Sequence, residues 1–100
     1  MDTDIWFDTI KKLAVEQNFK IEGDSNQTIC TIYIDKWHAV AYQLKKNQAG
    51  YIQANQWECD RDGANPRFGR AVYSIRSSSD CAQFCAILIA SNSIRAGREK

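Results

Sequence analysis

Apolar residues recur at helical spacing across residues 4–18, where Trp6, Ile10, Leu13 and Gln17 form one stripe with Phe7 and Ala14 beside it. Lys11, Lys12 and Glu16 fall on the other side, so this segment predicts an amphipathic helix. Asp2 or Thr3 is suited to cap the first turn, and Asp4 and Asp8 complement the positive end of the dipole. The cluster Glu22-Gly23-Asp24-Ser25-Asn26 then reads as a loop by composition.

The period changes to two after this loop. In residues 28–34, Cys30, Ile32 and Ile34 alternate with Ile29, Thr31 and Tyr33. In residues 38–45, Val40, Tyr42 and Leu44 alternate with Ala39, Ala41 and Gln43, and Asp35-Lys36-Trp37 suits the tight turn of a hairpin. Asn47-Gln48-Ala49-Gly50 supplies a second turn. Residues 51–58 follow, with Ile52 and Ala54 opposed to Tyr51, Gln53, Asn55 and Trp57, a strand poor enough in apolar residues to have one wet face. A fourth strand is expected at residues 70–76, with Ala71, Tyr73 and Ile75 inward and Arg70, Ser74 and Arg76 outward. The connection before it, residues 59–69, is long for a hairpin loop, where about two to five residues is usual. Long loops in small domains are often functional.

Ser77-Ser78-Ser79-Asp80 offers a capping box between Ser77 and Asp80 for a second helix. Its stripe is Cys81, Phe84, Cys85, Leu88 and Asn92, broadened by Ile87 and Ile89, so the helix is expected to be substantially buried. The pattern fades near Ser93, and Gly97 is a suitable terminator. The order is α-β-β-β-β-α. An α+β domain over residues 1–100 follows: a four-stranded antiparallel meander with two helices on one face, which buries both stripes. The chain contains no internal repeat and no domain boundary.

Composition narrows the class. One hundred residues make one domain, and 44% apolar with 25% charged residues is ordinary for a folded one. The net charge of +1 supplies no overall attraction to nucleic acid or an anionic membrane. All six Arg come after residue 60, and four of them (Arg61, Arg67, Arg70, Arg76) fall within sixteen residues. Planar guanidinium forks so concentrated hint at a recognition surface. The acidic start, Met1-Asp2-Thr3-Asp4, lacks the pattern of a secretory signal. The longest apolar run, residues 84–90, is far shorter than a membrane span. A cytoplasmic location with Cys30, Cys59, Cys81 and Cys85 reduced is therefore expected, and no membrane partner.

Candidate chemistry is sparse. His38 is the only imidazole, and no Ser or Cys nucleophile adjoins it. Cys81 and Cys85 share a helical face and could meet Cys30, Cys59 or His38 around a metal, but no paired-knuckle spacing is present and core packing is the stronger reading. Asp60-Arg61-Asp62-Gly63-Ala64-Asn65 lacks the ligand positions of a calcium loop and reads as a turn. No phosphate-binding fingerprint occurs between Gly63 and Gly69. The chain is expected to be no enzyme and to hold no cofactor or metal.

The positive signal is interleaving of Arg with aromatic residues. Trp57, Arg61, Arg67, Phe68, Arg70 and Tyr73 come within seventeen residues, and Arg76 follows. Such residues dominate interface hot spots, and they also stack on bases and clamp phosphates. In size and element order the chain is similar to many small bacterial or phage inhibitors, immunity proteins and anti-defence proteins among them. A double-stranded-RNA-binding domain also runs helix, strands, helix, but it has three strands and a Lys-rich start to its second helix where this chain has Ser-Ser-Ser-Asp-Cys. The expected function is stoichiometric occlusion of another protein, of toxin or nuclease-effector type, through Trp57, Arg61, Arg67, Phe68, Arg70 and Arg76. The alternative is a small RNA- or DNA-binding module using the same residues, which the near-neutral charge disfavours.

Overall fold

The computed structural model describes residues 2–23, 28–35, 40–58 and 64–98, with side chains throughout except at Asp35 and residues 93–98. The elements are α1 (Asp2–Glu16), β1 (Lys20–Gly23), β2 (Ile29–Asp35), β3 (Val40–Lys46), β4 (Ile52–Glu58), β5 (Arg67–Ile75) and α2 (Ser78–Arg98). The strands lie side by side in chain order, each antiparallel to its neighbours. The α+β class and the meander are as the pattern predicts, but the sheet has five strands instead of four.

The additional strand is β1. Lys-Ile-Glu-Gly is only four residues long, and its burial is slight, with Ile21 half-buried and its neighbours exposed. So short an edge strand shows no alternation in sequence. It exists because β2 offers a template, pairing Lys20 with Tyr33 and Glu22 with Thr31. Helix α1 runs from Asp2 to Glu16 instead of residues 4–18. Asn18, in the left-handed region at φ 64°, ends it. The Phe19 amide donates to Ala14 O (2.9 Å) and the Asn18 amide to Val15 O (3.0 Å), the two hydrogen bonds of a Schellman motif. Phe19 is thereby carried into the core at 4% exposure. Thr3, expected as a cap, lies inside the helix and donates from Oγ1 to Gly50 O (2.9 Å), tying α1 to the β3–β4 turn.

Both helices cover one face of the sheet. Phe7, Ile10 and Ala14 of α1 and Cys81, Phe84 and Leu88 of α2 pack against Cys30, Ile32, Leu44, Ile52, Ala54 and Ile75. The buried line of α1 is Phe7-Ile10-Ala14, with Trp6 and Leu13 half-buried beside it. Tyr42, Tyr73 and Phe84 meet edge to face, with centroids 5.5–6.0 Å apart. The ionised Tyr42 phenol is disfavoured by burial and then by Tyr73, so its pKa lies above the ordinary value.

Helix α2 opens as the sequence suggests, with Ser77 Oγ accepting from the Asp80 amide (3.1 Å). The Asp80 carboxylate accepts from the Arg76 amide (3.0 Å), one residue earlier than a regular capping box. The helix passes Ser93 and Gly97 without ending. Ile89, assigned to the buried stripe, is 44% exposed. Asn92 of α2 donates from Nδ2 to Oε1 of Gln17, the residue just past α1 (2.8 Å).

Strand β5 departs most from expectation. It begins at Arg67, so Arg67, Phe68 and Gly69 belong to a strand and not to the long connection. Against β4 its register shifts twice, once between Ala54 and Asn55 and once between Asn55 and Trp57. Each shift inserts an extra residue, and such bulges reverse side-chain alternation. Ala71, expected inward, therefore pairs with Asn55 and is exposed, whereas Tyr73 and Ile75 stay on the helix side.

Candidate functional site

With both helices on one side, the other face of the sheet carries no helix among the described residues, and the register defines its rows. Lys20 pairs with Tyr33 and Tyr33 with Ala41; one step beyond the Tyr42–Gln56 pair, Ala41 adjoins Trp57, which pairs with Phe68. The next row is Thr31, Gln43, Asn55 and Ala71. A third is Ile29, Lys45, Gln53 and Ser74. Pleating makes this composition inevitable: the positions that alternate with the core face it. One end is aromatic, the middle carries amides, and a lysine row follows.

In the aromatic row the Trp57 and Phe68 rings lie 5.0 Å apart at 72°. The two rings meet edge to face. Tyr33 is 37% exposed, and Ala41 between it and Trp57 in the row is buried at 5%. Tyr33, Trp57 and Phe68 thus belong to one row of the register. Lys20 Nζ stands 5.8 Å over the Tyr33 ring and 3.5 Å from Glu22 Oε1. The Tyr33 hydroxyl donates to Glu22 Oε2 (3.1 Å), and desolvation followed by this bond raises its pKa.

Asn55 holds the bulge beside this strip. Its Nδ2 donates to Gly69 O (2.8 Å), while its fully buried Oδ1 has no hydrogen-bond partner among the described residues. Gly69 leaves room for Glu58: a Cβ there would collide with the Glu58 carboxyl group and lie 2.7 Å from its Cγ. At the far end of the face, about 20 Å along β4 from Trp57, the Arg76 guanidinium lies 3.7 Å over the Tyr51 ring. The hydrogen bond from Gln53 and the nearby Arg76 charge lower the Tyr51 pKa against a smaller opposing effect of burial.

Of the residues the sequence singled out, Trp57 and Phe68 are brought together. Arg67 pairs across the ladder with Glu58 (3.7 Å), on the side of β4 opposite Trp57, and its Nη1 donates to Asn65 O (2.6 Å). Arg70 is exposed within the bulged stretch of β5. Arg76 stands one residue beyond that strand, at the far end. Arg61, like Trp37, His38 and Cys59, lies outside the described residues. Among the described residues Arg67, Arg70 and Arg76 are therefore dispersed along β5 and form no single cluster. The sequence reading missed Tyr33, Gln43, Lys45, Tyr51 and Asn55 as members of one surface. Their signal was the outward positions of the strands, read row by row.

Charged side chains lie on both sides of the sheet. The open face carries Lys20 and Lys45 against Glu22, with Arg76 over Tyr51 at its far end, and Arg70 is exposed in the bulged stretch of β5. On the other side, α1 exposes Asp2, Asp4, Asp8 and Glu16 together with Lys12, with Lys11 half-buried among them. Lys46 turns toward α1, bonding Asp4 Oδ1 at 2.7 Å and lying 4.8 Å over the Phe7 ring; it lowers the Asp4 pKa. Beside α1 an open groove of about 390 Å³ is lined by Lys11, Lys12, Val15, Glu16 and Ile21.

The three described thiols, Cys30, Cys81 and Cys85, are poor nucleophiles. Burial raises the Cys30 and Cys85 pKa values, and burial with Cys85 alongside pushes Cys81 up to about 11. Among the described residues no group of three His, Cys, Asp or Glu side chains is placed to hold a metal. No helix among them is long and apolar enough to cross a membrane. Comparison with protein-family models, curated proteins and solved structures found no match for the chain.

Proposed function

We propose that this chain is a binding module without chemistry of its own, acting by stoichiometric occlusion through the open face of its sheet. The observation that carries this reading is the half-buried Trp57–Phe68 pair on the sheet face opposite the two helices, in the register row that also holds Tyr33. Aromatic residues held by cross-strand packing offer contact area at small cost in side-chain entropy. An inhibitor of another protein would use Trp57 and Phe68 as apolar anchors, with Arg70 and Arg76 at the rim. In that reading Arg67 is peripheral, since Glu58 and Asn65 engage it.

The second class of partner, nucleic acid, gains from Lys20, Lys45 and Arg76 on this face. Its weakness was the net charge of +1, and a partner meets a local field, not a total. To test the module, immobilised parent protein and a Trp57→Ala/Phe68→Ala variant are exposed to host-cell extract, with and without nuclease. Material held by the parent and lost by the variant is the expected result. Identical recovery on both, with the variant folded by circular dichroism, would move the contact surface elsewhere. Should the double variant unfold, Tyr33→Ser makes the same comparison.

A further inference from the structure

We infer that the open face receives single-stranded nucleic acid, with bases stacked on the Tyr33–Trp57–Phe68 strip and phosphates drawn to Lys20, Lys45 and Arg70. The inference rests on the binding-module reading and names its partner class. Neighbouring strands are about 4.8 Å apart, so Tyr33 on β2 and Trp57 on β4 stand roughly 10 Å apart. That separation suits about two bases, the number that aromatic residues on such sheets commonly hold. The half-buried Trp57 and Phe68 rings, 5.0 Å apart, supply aromatic surface on which a base can stack. Stacking tolerates any sequence because every base has a π-face.

The remaining rows suit a strand lying across them. Gln43 presents an amide donor and acceptor to base edges in the row next to the strip, Asn55 is committed to Gly69 O, and Gln53, one row further, bonds Tyr51. Lys45 sits in the adjoining row between Ile29 and Gln53. Glu22 is the acidic side chain set among these rows, and Lys20 pairs with it. The carboxylates of α1 lie on the opposite side of the sheet, where they do not repel the backbone. A duplex is disfavoured because its bases are stacked inside and cannot reach an aromatic row on a sheet.

Fluorescence anisotropy with short labelled oligothymidylate and oligouridylate, against a duplex of equal length, tests this directly. Single strands should bind more tightly than duplex. With three phosphates contacted, log affinity should fall against log salt with a slope of about −2. Trp57→Ala should weaken binding by about 5- to 150-fold, as expected for one lost stacking contact, and leave the slope unchanged. Lys45→Gln should flatten the slope by about 0.7, and Lys12→Gln on α1 should change nothing. Trp57→Phe, which keeps an aromatic face, should restore most of the affinity and separates stacking from fold damage.

Equal affinity for single strand and duplex, or equal losses in Lys12→Gln and Lys45→Gln, would overturn the inference. So would absence of binding at low salt. If oligonucleotides fail while Trp57-dependent protein is recovered from extract, the partner is protein and the module reading survives. Failure of both removes both readings.

Discussion

Asn55→Asp is the most informative single change, because it alters two atoms' chemistry without altering shape. In the parent, Nδ2 donates 2.8 Å to Gly69 O and Oδ1 is buried without a partner among the described residues. Aspartate replaces that donor with a second oxygen aimed at a carbonyl. The loss of one hydrogen bond costs about 1 kcal/mol, and a buried charged acceptor left unsatisfied adds about 2 kcal/mol, so roughly 3 kcal/mol is expected at neutral pH. Burial and the facing carbonyl also disfavour ionisation, so the folded-state pKa lies above the unfolded value of about 3.9. The protonated acid can donate to Gly69 O as the amide did. The folded state then holds its proton more tightly than the unfolded state, and stability falls as pH rises from the unfolded pKa through the folded one. Urea unfolding of parent and variant across this range is the assay. The deficit should be small near pH 4 and reach a plateau above the folded pKa. A deficit under about 1 kcal/mol at neutral pH, or one that does not change with pH, would refute the reasoning by showing that the side chain is solvated.

Three further outcomes follow from the packing and the charges. Leu88→Ala empties a fully buried site between α2 and the sheet, and should cost about 2–5 kcal/mol in urea unfolding while oligonucleotide binding by the folded fraction is unchanged. Replacing Arg67 and Arg70 together with Ala should leave the unfolding midpoint within about 0.5 kcal/mol, since exposed pairs such as Arg67–Glu58 contribute little. Binding should nevertheless weaken, with Arg70→Ala reproducing the whole effect and Arg67→Ala none of it. Cys81, with its pKa raised to about 11, should react with iodoacetamide at mildly alkaline pH far more slowly in the native protein than in urea. Equal rates in the two states would mean that α2 does not bury this thiol.

The helices and the core strands were legible because each carries its period in its own residues. Cys30, Ile32 and Ile34 alternate with Ile29, Thr31 and Tyr33, and these sets take opposite faces of β2. β1 was illegible because Lys20–Gly23 has one inward apolar residue, and its strand state comes from pairing with β2. The Arg cluster misled for a related reason: nearness in sequence says little about nearness in space once a strand is bulged. Arg67 and Arg76, nine positions apart, end near opposite ends of β5.

By itself, the sequence determined the α+β class, the meander, the choice of core residues and the wet face of β4, all of which rest on local period and short connections. Only the tertiary structure decided which outward residues become neighbours. Tyr33, Trp57 and Phe68 come from three strands, and their register joins them in one strip. The two shifts in β5 turned Ala71 outward and left Asn55 holding the bulge. A one-residue slip exchanges the faces of everything beyond it, and no local pattern records where such a slip falls.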